Sequence, residues 1–143
     1  MTQEIKHMEV EYPDFAATFT VRLLTEKNPE LCDLLWNNLP IETIESHAMA
    51  SGELMFASHT IVAMVKPHVE LMTEVPVGTL HMNTCGYLTL SFIYGEITEP
   101  EPSNPVGQVS EDQLEELTRV GREVFYSNFF THEPIRVIFR KKS

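Results

Sequence analysis

Cysteine is scarce in this 143-residue chain. There are two, Cys32 and Cys85, and neither belongs to a C-x-x-C pair. That argues against a disulfide framework, and a buried free thiol is the expectation for both. Cations are scarce as well, with 10 lysines and arginines against 21 acidic residues and a net charge of -11. Such a surface repels phosphate backbones and anionic headgroups, so no nucleic-acid and no membrane partner is expected. No apolar run approaches the roughly 20 residues that span a bilayer. Residues 1–6 lack the basic and apolar blocks of a signal peptide, so a cytoplasmic location is expected. Missing too are G-x-S-x-G, G-x-x-x-x-G-K-[ST], H-E-x-x-H and a dinucleotide fingerprint. His47, His59, His68 and His81 are scattered without ligand spacing, so neither a metal nor a cofactor is expected.

What is present is an ordinary apolar content of 43% on a length that suits one domain over residues 1–143. Residues 5–11 and 16–24 alternate as strands, with Phe19, Val21 and Leu23 opposite Thr18, Thr20 and Arg22. Asn28 and Pro29 open a helix as N-cap and first residue, Leu31, Leu34 and Leu35 form its apolar stripe, and Leu39-Pro40 ends it. Residues 41–66 read as two or three strands with a bend at Ser51-Gly52. Residues 79–83 and 87–94 read as a hairpin around Thr84-Cys85-Gly86. Pro100, Pro102 and Pro105 argue against a helix or central strand over residues 98–109. A second helix starts at Ser110-Glu111-Asp112-Gln113, a capping-box pattern, with a Glu115–Arg119 pair along it. A strand over residues 134–140 closes the chain. Many short strands with two helices predict a mainly β fold, a closed barrel whose ends the helices cover.

The chemistry-bearing residues cluster in residues 45–56. Strand parity places Glu45, His47, Met49 and Ser51 on one face, and the bend at Gly52 re-aims Glu53 toward the same side. A histidine and a glutamate on one wall can divide acid and base roles. Tyr94 ends a strand, where polar groups reach a pocket rim. Asn104 stands in a proline-set loop able to line a mouth. For a ligand carboxylate, Arg22 is the expected cation.

Several segments resemble cyclophilin-like proteins: Val21-Arg22-Leu23-Leu24 to Asn28-Pro29, then Leu31 to Leu35 and Leu39-Pro40; Ser46 to Phe56; Val77-Gly78-Thr79-Leu80; Gly86 to Tyr94; and Asn104-Pro105-Val106-Gly107. The resemblance spans most of the chain and is greatest to small bacterial members and to the cyclophilin-like domain of cucumopine synthases. It implies a cyclophilin-like closed β-barrel. It also implies a Pictet–Spengler condensation of histidine with 2-oxoglutarate, in which an imine forms and a ring carbon attacks it. Glu53 would then be the base and His47 the group that handles the carbonyl or a carboxylate. Phe56 and Tyr94 would pack the ring, with Arg22, Glu45 and Asn104 as further binding residues. The partner implied is a small polar metabolite, an amino acid or 2-oxo acid, and a homodimer is expected. A non-catalytic metabolite-binding module stays open as the alternative. Residues 46–52 lack the arginine that prolyl isomerases use, which argues against that activity.

Overall fold

The computed structural model describes residues 4–143. Residues 1–3, which begin the stretch read above for a signal peptide, lie outside the described residues. Eight strands close into an antiparallel barrel. In chain order they are β1 (His7–Tyr12), β2 (Ala17–Leu23), β3 (Ile41–His47), β4 (Gly52–Ser58), β6 (Thr79–Asn83), β7 (Thr89–Ile97), β9 (Pro105–Val109) and β10 (Ile135–Lys141). Around the barrel the order is β1-β10-β3-β4-β7-β6-β9-β2, and β2 pairs with β1 to complete the circuit. Two-residue strands β5 (Glu70–Leu71) and β8 (Pro102–Ser103) pair separately outside it. The mainly β expectation with two helices and a closed barrel therefore holds.

Alternation explains the closure. Phe19, Val21 and Leu23 are buried while Thr18, Thr20 and Arg22 are not, and the same parity recurs in β1 and β10. The inward set, including Met8, Val10, Phe92, Val137 and Phe139, forms one continuous core. Each such side chain contributes roughly 1.5–3 kcal/mol on burial. Helix α1 (Pro29–Asn37) joins the end of β2 to the start of β3 and buries Leu31, Cys32 and Leu35. Helix α2 (Leu114–Tyr126) buries Leu117, Val120 and Val124 in the same core. It lies against β3, β4 and β7. A π-helical turn, Ser127–Thr131, prolongs it.

Residues 41–66 hold two strands, within the two or three expected, and residues 59–69 form no ladder. Their alternation is nevertheless real. Ile61 and Val65 pack on the core while Val62 and Met64 are exposed, so the pattern reports an extended strap with one side against the protein. Residues 98–109 carry β8 and β9 despite the prolines, because Pro105 is the first residue of β9, where proline is tolerated. The capping box does not form. The Gln113 Oε1 instead accepts the Thr20 N–H at 2.8 Å and the Ser110 hydroxyl faces the Thr20 carbonyl at 3.4 Å, tying the helix to β2. Arg119 pairs with Glu116, not with Glu115. Of the two thiols, Cys32 is buried as expected, while Cys85 is carried outward by the turn between β6 and β7 and is exposed. No helix among the described residues is long and apolar enough to cross a membrane.

Candidate functional site

Strand β3 ends at His47, and residues 48–51 turn the chain into β4. Glu45 and His47 are both buried on the inward side of β3, as parity predicts. Met49 and Ser51 lie past the strand end and leave that face. Met49 is 89% exposed, and the Ser51 hydroxyl donates to Glu101 at 3.1 Å. Beside the turn, a cleft of about 420 Å³ opens between the end of β3, the start of β4, the end of β7 and α2. That volume lies in the range of small-molecule sites. His47, Glu53 and Tyr94 all line it, joined by Arg122 and Phe125 from α2.

The polar groups of the cleft are ordered by hydrogen bonds. The His47 Nδ1 stands 2.7 Å from the Ala48 carbonyl, which can only accept. That fixes the proton on Nδ1 and leaves Nε2 as an acceptor. The Tyr94 hydroxyl donates to Nε2 at 2.6 Å. Desolvation lowers the His47 pKa, against the opposing pull of the Ala48 carbonyl and the Glu53 charge. Tyr94 is pushed up to about 12 by burial first and the Glu53 charge second, with Arg122 opposing. At neutral pH the couple is therefore an uncharged phenol hydrogen-bonded to an uncharged imidazole. On Glu53, Oε1 accepts the Glu96 backbone N–H at 3.0 Å. Oε2 stands 3.8 Å from the Arg122 Nε.

Two glycines make room for this arrangement. A methyl on Gly121 of α2 would overlap the ring of Tyr94, and one on Gly95 would overlap the Glu53 carboxyl. The aromatic wall comes from α2 and its π-helical turn. The Phe125 ring centroid lies 5.0 Å from that of His47, and Phe129 lies 6.1 Å away. Insertions of this π type recur at functional sites.

The other expected site residues lie elsewhere. Glu45 does not line the cleft: it accepts the Tyr12 hydroxyl at 2.9 Å and borders a separate cavity beside Val124 and Ser127. Arg22 is on the outward side of β2 and pairs with Glu26 at 3.3 Å. Phe56 has the parity opposite to Met55 and Ala57 and is paired with Ser91 in the ladder, so it does not line the cleft. The Asn104 amide is bound to the Met82 carbonyl and to Asn83. Arg122, Phe125 and Phe129 escaped sequence reading, although their spacing of three and four puts them on one helical face beside Gly121. A second groove of about 370 Å³ runs past Pro40 and His59. Both His59 ring nitrogens are bound, Nε2 to the Asn83 carbonyl and Nδ1 by the Ile61 N–H, which leaves that histidine no free atom for a ligand.

No family model matches this sequence, and no curated protein does. Solved structures do. McbB in complex with tryptophan superposes with a TM-score of 0.88 at 30% identity, over 95% of this chain and 45% of McbB. The chain thus spans under half the length of McbB. A hypothetical protein from Archaeoglobus fulgidus, AF2241, superposes with a TM-score of 0.63 at 12% identity, over 99% of this chain and 100% of its own. At that identity the likeness is one of fold.

Proposed function

We propose that the cleft binds an aromatic amino acid and catalyses its Pictet–Spengler condensation with a carbonyl compound, in the manner of a cyclophilin-like cucumopine synthase. The observation that carries this reading is the Tyr94–His47 couple at 2.6 Å, lining the same cleft as Glu53. The likeness to a tryptophan-bound protein supports an aromatic amino acid as the ligand. Histidine and tryptophan both supply the required features, an amine and a ring carbon able to attack.

The reaction makes two bonds and releases one water, with no change of oxidation state. The amine nitrogen adds to the carbonyl carbon, the carbinolamine loses water, the ring carbon attacks the resulting iminium, and the ring gives up a proton. Acid–base groups of two strengths suit these steps. Tyr94 relays the amine proton by accepting it while passing its own to His47 Nε2. The imidazolium so formed is a ready acid, because burial disfavours it, and it returns the proton to the departing hydroxyl. Glu53 takes the ring proton. Its Oε1 is held by the Glu96 N–H, and Oε2 is the basic atom. The substrate ring stacks beside Phe125. Tyr94 is 2% and His47 5% exposed, against 41% for Phe125, so Phe125 is the first of the three that an entering ring meets.

Incubation with histidine or tryptophan and 2-oxoglutarate, followed by mass spectrometry, tests the proposal. A product equal to the two substrates less one water is expected. Glu53→Gln is expected to lower turnover by about 10²-fold or more while retaining amino-acid binding. Turnover unchanged in Glu53→Gln removes the mechanism. Binding without any product in the unsubstituted protein supports the non-catalytic module instead.

A further inference from the structure

Among the described residues that line the cleft, Arg122 is the one lysine or arginine. The other arginines are engaged by acids away from it. Arg22 pairs with Glu26, Arg119 sits with its Nε 3.0 Å and 3.1 Å from the two Glu116 oxygens, and Arg140 spans Glu9 at 3.1 Å and Glu11 at 2.7 Å. Arg136 lies 3.8 Å from Asp14. Arg122 has only the 3.8 Å approach of its Nε to Glu53, and its side chain is 71% exposed. Its terminal nitrogens have no hydrogen-bond partner among the described residues, although a guanidinium offers five donors in a fork that matches a carboxylate.

The cleft therefore presents a negative group, Glu53, and a positive group, Arg122, side by side at its rim. A free α-amino acid carries a carboxylate, the group that a guanidinium fork receives. On a chain of net charge -11, an anionic group is repelled everywhere except where a local cation receives it. We propose that Arg122 is the carboxylate anchor of the cleft, so that the protein selects free α-amino acids and rejects the amines and esters derived from them. Binding of the carboxylate draws Arg122 off Glu53 and places the amine next to the Tyr94 hydroxyl. Glu53 Oε2 is then free for the ring proton. The inference rests on the cleft being the ligand site, and it replaces Arg22 with Arg122 as the cation that reads the carboxylate. A helix rim supplies what the strand cation does not.

Titration calorimetry with tryptophan, tryptamine and tryptophan methyl ester tests it on the unsubstituted protein, Arg122→Ala and Arg122→Lys. Tryptophan is expected to bind at least tenfold more tightly than either carboxylate-free ligand. Arg122→Ala is expected to lose about tenfold for tryptophan and to leave tryptamine within twofold. Arg122→Lys, which keeps the charge but not the fork, is expected to fall between. Equal affinity of the unsubstituted protein for tryptophan and tryptamine overturns the anchor while leaving the cleft reading intact, as does equal loss of both ligands in Arg122→Ala. Failure of the unsubstituted protein to bind any of the three overturns the cleft reading and the anchor with it.

Discussion

The cleft and the sealed parts of the molecule treat buried polar groups in opposite ways. In the cleft, His47 uses both ring nitrogens, Tyr94 donates its proton, and Glu53 is held by a backbone N–H. Away from it, the Glu45 Oε2 and both ring nitrogens of His81 are buried with no partner among the described residues. Burial alone thus does not distinguish a site from a core, since His47 is 5% and His81 1% exposed. What distinguishes them is bonding. Fixed partners hold the His47 tautomer, whereas His81 and Glu45 meet desolvation by staying neutral. Burial pushes Glu45 up to about 8, with the Tyr12 hydrogen bond opposing, and pushes His81 down to about 4. Unpartnered buried groups of this kind cost stability. The sealed region is therefore where substitution is expected to stabilise, and the cleft where it is expected to damage function.

Glu45→Gln is expected to show the largest effect of pH on stability. The folded state keeps the Glu45 proton up to about pH 8, while the unfolded chain releases it near its ordinary value of 4.5. The protein consequently loses stability as pH rises through that window, by on the order of 5 kcal/mol for the full shift. Glutamine mimics the neutral acid at every pH. The advantage of Glu45→Gln in urea unfolding should therefore grow from pH 5 to pH 8. An advantage that is constant with pH would mean that Glu45 is ionised in the folded state.

His81→Leu is expected to act on the acid side and somewhat less. The folded state refuses the proton down to about pH 4, while the unfolded chain accepts it near 6.5. Stability falls as pH drops between those values, by about 3 kcal/mol. Leucine removes both orphaned nitrogens, so His81→Leu should unfold later even at pH 8, with a margin that widens toward pH 4. His47 titrates in the same direction, so part of the acid loss remains. Turnover should be unmoved by His81→Leu, since His81 lies in β6 and does not line the cleft.

Legibility in the sequence follows the same division. Period-two alternation in β1, β2 and β10 declares which side faces the core, and from it the barrel was readable. Within the site, parity delivered Glu45 and His47 to the inward face, whereas Tyr94, expected at a strand end, is a buried residue inside β7, which continues to Ile97. Glu53 follows the turn, and Gly52 at a φ of 114° is the residue that permits it. Parity does not say how far along the barrel axis a side chain sits. Glu45 and His47 are two residues apart on one face, yet Glu45 meets Tyr12 and a separate cavity while His47 lines the cleft. Arg22 and Phe56 were assigned by chemistry, and both prove to lie on outward faces. Arg122 and Phe125 depend on which helical face meets the barrel end, a tertiary fact that no local pattern on α2 states.

Gly121 offers the smallest test, one that joins the two regions. The Tyr94 ring packs directly on Gly121, and a methyl there would overlap it. In an exposed helix, replacing glycine by alanine gains up to about 1 kcal/mol. Here the overlap should outweigh that gain, because crowding a packed site costs about 1–3 kcal/mol. Gly121→Ala is therefore expected to be net destabilising by about 1 kcal/mol in urea unfolding. Relief requires α2 to lift or the ring to shift, and either movement lengthens the 2.6 Å Tyr94–His47 bond. Turnover should then fall more than stability does, since the relay depends on that distance. A variant as stable and as active as the parent would show that the helix is free to slide over Tyr94, and that the tight packing of α2 does not set the geometry of the couple.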